Sequence, residues 1–244
     1  MTIFRKTAVA LLASLCAAAS AWAGDFSTFQ SLGFSPDGKV YAFEEFGVQD
    51  GSGFPYSNVY FIDTEKDVYL PGTPIRVRID DEAAGIAKAR AESRDNAKAL
   101  SDKYNVLSNP GVLAAFNPMG EGGVDRKRIE YLQHAVEPTV GGAFALALED
   151  IPLDMTDRCR DIAPDGIKGF RLKLVKNDGA AADTLVHEDK RVPESRNCAF
   201  SYQISGAVAF NAFNVEPVHV ALVLVRSIGF EGADGRWIAV PFRP

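Results

Sequence analysis

Oxygen-bearing and aromatic side chains are concentrated in one stretch near the start of the chain, EEFGVQDGSGFPYSN, residues 44–58. Oxygens in a glycine-bearing loop are the ligands that Ca²⁺ prefers, although this spacing is not that of an EF-hand. A long hairpin loop with solvated acids and an aromatic anchor is the simpler interpretation, because such loops are common on sheets. The stretch predicts a contact loop, and no metal ligand is assigned. The candidate contact residues are Glu44, Asp50, Phe54 and Tyr56. A Ca²⁺-dependent module centred on Asp50 is the alternative.

Two adjacent carboxylates, Glu44 and Glu45, raise the question of acid and base catalysis. Both lie in a predicted strand, and successive side chains of a strand point to opposite faces of the sheet. We therefore expect the backbone to separate them, so that they do not act as a pair.

Three histidines are the other residues that could do chemistry. His134 falls in a predicted helix, His187 in the polar sequence HEDKR, where we expect a solvated turn, and His219 in an apolar strand. A lone histidine on an apolar strand is most often a core residue with a hydrogen-bond partner. Residues 24–244 contain no motif of a serine hydrolase, a zinc protease or a nucleotide-binding loop. The sequence therefore assigns no catalytic residue and no cofactor.

Two cysteines, Cys159 and Cys198, remain in residues 24–244. An even number in an oxidising compartment indicates a disulfide. A redox pair usually has the spacing CxxC, and two cysteines without clustered histidines make a poor metal site. We predict that these two form a structural disulfide.

The first 23 residues have the pattern of a signal peptide. Arg5 and Lys6 precede a short apolar segment, residues 7–20, and Ala21-Trp22-Ala23 fits a signal-peptidase site with cleavage before Gly24. The sequence thus predicts a periplasmic or secreted protein, with residues 24–244 as a single β-rich domain.

Charge and hydropathy exclude two classes of partner. The net charge is −6, and no basic block occurs, which argues against nucleic acid and anionic membrane surfaces. No segment after the signal peptide has the ~20 consecutive apolar residues of a membrane-spanning helix.

The candidate residues are carried by predicted strands before residue 80 and after residue 139, many of them bounded by Asp-Gly pairs that favour tight turns. Between them, residues 81–136 are predicted to form a helical insertion with two helices. Asp80 or Asp81 would cap the first, and the second would cover residues 125–136. The fold class predicted is mainly β: an antiparallel, two-sheet, sandwich-like domain with a helical insertion.

One hairpin pattern occurs at both ends of the chain. QSLGF, a turn and DGKVYA, within residues 30–42, match RSIGF, a turn and DGRWIA, within residues 226–239. The matching flanks lie outside the turn, which favours a real relation between the two hairpins over convergence. A propeller would need such units throughout the chain, and the helical insertion interrupts that period.

A family resemblance follows from residues 33–63, the cysteine pair and VPESRNCAFSY at residues 192–202. Together they resemble a family of predicted secreted proteins of Gram-negative bacteria, classed as a domain of unknown function. This resemblance implies export but no activity, substrate or catalytic residue. Separately, residues 34–63 are similar to a propeller blade of TolB-like periplasmic proteins.

The sequence favours a non-enzymatic binding or structural protein of the cell envelope, whose partner is an unknown envelope protein or polymer. The alternative is a secreted hydrolase with an unrecognised site. That alternative requires one of the three histidines to meet an acid and a nucleophile in one pocket.

Overall fold

The computed structural model describes residues 24–244, in which three antiparallel sheets are stacked. The predicted signal peptide, residues 1–23, lies outside the described residues. The N-terminal sheet contains β1 (Thr28–Phe34), β2 (Val40–Val48), β3 (Pro55–Asp63), β4 (Val68–Tyr69) and β5 (Ile75–Arg78). The central sheet contains β6 (Val112–Phe116), β11 (Ala199–Phe210), β12 (Val218–Ile228) and β13 (Ala233–Phe242). The third sheet contains β7 (Arg128–Tyr131), β8 (Phe144–Leu153), β9 (Ile167–Asn177) and β10 (Ala180–Glu188).

Within each sheet, most strands that are consecutive in the chain are hydrogen-bonded to each other. The N-terminal sheet has the order β1-β2-β3-β4, with β5 also paired to β3. The other two sheets have the orders β13-β12-β11-β6 and β10-β9-β8-β7. All of these pairs are antiparallel.

The central sheet is buried on both faces, which explains why β12 is apolar at nearly every position. Val220 and Leu222 of β12 pack against the N-terminal sheet, in a cluster that includes Phe43. Ala221 and Val223 point the other way and pack against the third sheet. A strand with one solvated face would alternate apolar and polar residues, whereas this one has two core faces to fill.

The predicted class, mainly β and antiparallel, is confirmed, but the number of sheets differs. Residues 24–244 form three sheets, whereas the sequence pattern predicts two. The apolar run of β12 was the signal for a sheet covered on both sides, because a two-sheet sandwich leaves an outer face to solvent.

The one α-helix of the described residues, α1 (Ile86–Tyr104), lies on the outer face of the N-terminal sheet. Its buried residues, Ala89, Ser93, Ala97 and Ser101, recur every four positions and form a small-residue face. This face lets the helix approach closely, and the Ser93 and Ser57 hydroxyl oxygens are 2.7 Å apart. No described helix is long and apolar enough to cross a membrane.

The predicted start of α1 and the predicted second helix are wrong. Gly85 is the N-cap, whereas Asp81 accepts a bond from the Ala83 N–H in the preceding turn. Residues 125–136 contain strand β7, in which Ile129 and Tyr131 are buried and Arg128 and Glu130 are exposed. The apolar residues there fit both a helical and a two-residue period, and pairing with β8 decides between them.

The two matched hairpins are neighbours in space but are not equivalent. Phe29 of β1 and Trp237 of β13 have ring centroids 5.3 Å apart. Asp37-Gly38 lies in the turn before β2, with Gly38 at φ 70°, whereas Asp234-Gly235 lies inside β13. Phe34 is fully buried, but its counterpart Phe230 is 89% exposed. The prediction of a turn closing at residues 234–235 is therefore wrong.

The predicted disulfide is confirmed. Cys159 ends a short 3₁₀ turn, residues 157–159, and Cys198 directly precedes β11. The two are bonded with their Cα atoms 5.5 Å apart, and both are buried beside the third sheet.

Candidate functional site

Glu44 lies within β2 rather than in a loop, and its side chain is fully buried beneath α1. Its carboxylate accepts hydrogen bonds from Arg90, at 2.9 and 3.0 Å, and from Arg94, at 2.6 and 3.1 Å. Ser57 adds a third donor at 2.9 Å. Burial on its own would raise the pKa of Glu44, but the two guanidinium groups and Ser57 outweigh it and lower the pKa. Glu44 therefore attaches the helix to the sheet and is not part of a contact surface.

Glu45 points to the opposite side of the same strand, as expected, and joins the N-terminal sheet to the central sheet. Its carboxylate accepts bonds from the Tyr60 hydroxyl at 2.6 Å and from the Trp237 backbone N–H at 2.9 Å. Ser27 and Asn58 donate to it at 3.2 and 3.1 Å. This buried carboxylate accepts hydrogen bonds from four donors. Because Tyr60 belongs to the N-terminal sheet and Trp237 to the central sheet, Glu45 holds the two sheets together.

Of the remaining candidate contact residues, Asp50 and Phe54 lie in the loop between β2 and β3, residues 49–54, and Tyr56 lies in β3. Asp50 is partly exposed at the tip of this loop. The ring of Phe54 lies 5.9 Å from the guanidinium carbon of Arg78. Tyr56 is buried in β3, donates to Asp25 at 2.8 Å and lies beneath Arg236. A contact role for this loop stays a prediction, and Phe54 and Tyr56 each lie against an arginine side chain.

No metal site forms around Asp50 from side chains in residues 24–244. Within that range, no three histidine, cysteine or acidic side chains converge closely enough to hold an ion.

His187 occupies an ordered position in β10, where a solvated turn was expected. Its Nδ1 is 3.2 Å from Asp67, in the turn between β3 and β4, and its Nε2 is 3.1 Å from Asp189. The ring stacks on Phe170 with centroids 4.6 Å apart. Burial lowers the pKa of His187, but the hydrogen bonds and charges of the two carboxylates dominate and raise it to about 9. At neutral pH this histidine is a cation that joins the N-terminal sheet to the third sheet.

Raising the pH should weaken this connection. Since the folded-state pKa, about 9, lies above the ordinary value of 6.5, the stabilisation is complete below pH 6.5 and is lost as the pH rises through 9. We expect a loss on the order of 2 kcal/mol in the free energy of unfolding. Urea unfolding of the wild type and of His187→Gln between pH 6 and 10 measures it. The variant should lack this part of the pH dependence, and parallel curves would contradict the assignment.

His219 is a buried core residue with partners, as expected. Its Nδ1 is 2.9 Å from the Tyr131 hydroxyl, and its Nε2 is 3.3 Å from the Gln133 side-chain oxygen. Burial lowers its pKa to about 4, with a further contribution from nearby His134, so the ring is neutral at pH 7. His134 itself follows β7 and lies outside any helix. His219 and His134 lie near each other. The partners of the His219 ring are Tyr131 and Gln133, and neither is acidic.

A cleft lined by arginines runs along β13, the edge strand of the central sheet. Its middle is a cavity of about 150 Å³. A second cavity, of about 290 Å³, shares the lining residues Tyr69 and Arg196 with this central cavity. A third, of about 270 Å³, shares Arg76 and Arg236 with the central cavity, so the three cavities are contiguous. We call this surface the arginine cleft. Its polar residues of interest are Asn58, Tyr69, Arg76, Arg78, Arg196 and Arg236.

The arginines of the cleft come from three separate parts of the fold. Arg76 and Arg78 lie on β5, Arg236 on β13, and Arg196 in a short 3₁₀ turn before β11. Arg78 is paired with Asp80 at 2.7 Å. Arg196 is paired with Asp189 at 2.6 Å and Arg236 with Asp25 at 2.5 Å. Arg76 is exposed, and among the described residues it has no ion-pair partner. The positive charge of Arg76 therefore forms no ion pair with a side chain of the cleft and is open to a ligand.

The sequence predicts only part of this cleft. The alternation in IRVR, residues 75–78, places Arg76 and Arg78 on one face of a strand, and that signal was available. Arg196 and Arg236 lie 40 residues apart, and nothing in the sequence shows that they flank one cavity. Their meeting depends on how three sheets are stacked.

Comparisons with known proteins identify a family but no activity. A family model described as "Predicted secreted protein (DUF2259)" matches residues 42–243. No curated protein matches the chain, and no solved structure matches it. The likeness of residues 34–63 to a propeller blade finds no support in these comparisons.

Proposed function

This chain belongs to the DUF2259 family of predicted secreted proteins, and from that premise we propose that it is an exported, non-enzymatic binding protein of the cell envelope. Its ligand is an acidic polymer, and the arginine cleft is the binding site. The observation that carries the proposal is Arg76, an exposed guanidinium with no ion-pair partner in residues 24–244, in a cleft that also contains Arg196 and Arg236. The chain as a whole is acidic, with a net charge of −6, so this concentration of arginine is local.

The chemistry of the cleft favours ligands that accept hydrogen bonds. Arg76 brings five N–H donors, and the fork of a guanidinium matches a carboxylate in a bidentate arrangement. The Glu45 carboxylate lies at the same cavity but is occupied by its four donors, so it leaves little acceptor capacity for a ligand. Tyr69, 41% exposed, adds an aromatic surface on which a sugar ring could lie.

The shape favours a chain-like ligand over a protein surface. The central cavity, about 150 Å³, admits one small group, and the two neighbouring cavities continue it in both directions along β13. An acidic glycan, with one carboxylate per sugar, fits such a succession of small sites. A folded protein partner would instead require a broad exposed surface.

A hydrolase is less well supported by the same residues. His187 has acidic neighbours, but both of its ring nitrogens face carboxylates and its raised pKa keeps it protonated. A general base needs a free nitrogen directed at the nucleophile. Within the described residues, the cavity that contains His187 is lined by no serine, threonine or cysteine.

Replacing Arg76 with alanine should weaken binding of an acidic polymer by about tenfold or more, because a hydrogen bond to a charged group contributes about 1.5–3 kcal/mol. Calorimetry with polygalacturonate, a polymer of carboxylated sugars, measures this change. Affinity should also fall with added salt, since the attraction is electrostatic.

The matched control is Arg160→Ala, which removes the same charge from an exposed turn beside the disulfide and should leave the affinity unchanged. Dextran, a neutral polymer, should bind far more weakly than polygalacturonate. Equal binding of both polymers, or an Arg76→Ala protein with wild-type affinity, would refute the proposal.

A further inference from the structure

The four residues that follow the predicted cleavage site are built into the edge of the central sheet. Phe26 forms a parallel bridge with Gly235 of β13. The Gly235 N–H donates to the Asp25 carbonyl at 2.8 Å, and the Ser27 N–H donates to the Gly235 carbonyl at 3.0 Å. A Cβ atom at Gly235 would overlap the ring of Phe26. The start of the predicted mature chain is therefore a packed part of the fold.

Gly24 is held closely against β13. A Cβ atom at this position would overlap the carbonyl oxygen of Ala233, so a larger residue would push the segment away. One residue later, the Asp25 N–H donates to Asp234 Oδ1 at 3.1 Å. Since neighbouring backbone nitrogens are less than ~4 Å apart, the nitrogen of Gly24 lies within about 7 Å of that carboxylate.

The surroundings of this nitrogen are short of positive charge. Asp25 and Asp234 carry carboxylates, and among the described residues the guanidinium that faces them, that of Arg236, is bound to Asp25 at 2.5 Å. Burial raises the pKa of Asp234, and the negative charges of Asp25 and nearby Asp50 raise it further. The hydrogen bond from the Asp25 N–H and the charge of Arg236 lower it, but the net shift is upward. Tyr56, the other titratable group at Asp25, has its pKa raised by burial and stays neutral.

We infer that cleavage before Gly24 creates a structural cation, an α-ammonium group that neutralises the Asp234 carboxylate and fixes the N-terminal segment to β13. Water adds across the Ala23–Gly24 peptide bond, Ala23 leaves with the carboxylate, and the released amine of Gly24 takes up a proton at neutral pH. Before cleavage the same nitrogen is a neutral amide. Export and processing thus complete the charge balance of the fold, independently of what the arginine cleft binds.

An exported chain with a protease recognition sequence inserted directly before Gly24 tests this inference, because residues 24–244 are then the same before and after digestion. Cleavage should raise the melting temperature at pH 7 by about 2–4 °C in a chain of this size. At pH 10, where an α-amino group of ordinary pKa near 8 has lost its proton, cleavage should leave the melting temperature unchanged. In Asp234→Asn, which keeps the acceptor oxygen but removes the charge, the gain at pH 7 should also be absent.

Three results would overturn the inference. One is an equal melting temperature before and after cleavage at pH 7. Another is a gain that persists at pH 10 or in Asp234→Asn, since removal of the inserted sequence would then be the cause. The third comes from N-terminal sequencing of the wild-type protein recovered from the envelope, if its first residue is not Gly24.

Discussion

Replacing Arg90 and Arg94 together with methionine should lower the free energy of unfolding by about 3–5 kcal/mol, the range for removing one side of a buried ion pair. The Glu44 carboxylate is fully buried, and in this variant it would keep only the Ser57 hydroxyl as a partner. Methionine keeps an unbranched apolar side chain over the sheet, so the loss reports on the guanidinium groups, including the stacking of Arg90 on the Phe46 ring at 3.7 Å. Urea unfolding monitored by circular dichroism measures it.

Glu44→Gln is the matched variant, and it should cost less, about 1–2 kcal/mol. The two arginines are partly exposed, 25% and 45%, and keep their hydration when the carboxylate is gone. The order of the two losses is therefore the test. If Glu44→Gln were more destabilising than the double arginine variant, the interpretation that the buried carboxylate needs the two arginines for its stability would be wrong.

Replacing both cysteines with serine should lower the free energy of unfolding by about 4 kcal/mol, because the disulfide closes a loop of 39 residues that is otherwise free in the unfolded chain. The effect acts mainly on the unfolded state, so the native spectrum should change little at low denaturant. Chemical denaturation of the double variant and the wild type in parallel gives the difference.

Reduced wild-type protein is the control for this comparison. It should be as unstable as the double variant, since both lack the covalent bond, whereas a buried serine pair adds only a small polar cost. A double variant as stable as the oxidised wild type would contradict the assignment of the disulfide as a main stabilising element.

Much of the fold was predictable because its elements follow local rules. Strands such as β2 and β9 are bounded by turn residues, and Asp178-Gly179, at φ 47° and 84°, forms the tight hairpin turn that its sequence indicates. The first helix was predictable from its composition, although Gly85 rather than an aspartate precedes it. Residues 125–136 were predicted wrongly because Ile129, Leu132 and Val136 recur at helical spacing, whereas Ile129 and Tyr131 have the two-residue spacing of the strand that forms.

The candidate site was predicted less well, because it depends on contacts between sheets. Glu44 and Glu45 were correctly placed on opposite faces, but their partners, Arg90 and Trp237, are distant in the chain. His187 looked solvated because its neighbours in sequence are charged, yet Asp67 of another sheet holds it in place. No local pattern contains that information.

The position of the central sheet also sets the order in which the chain can fold. The N-terminal sheet covers one face of β12 with Phe43 and Tyr60. Their rings stack on each other with centroids 4.5 Å apart, but the face that they form is covered only when the C-terminal strands are available. A chain that leaves the membrane with its N-terminus first therefore carries an exposed aromatic face until its C-terminal strands follow, which favours late, non-local folding. During that interval the chain is open to aggregation through these aromatic side chains.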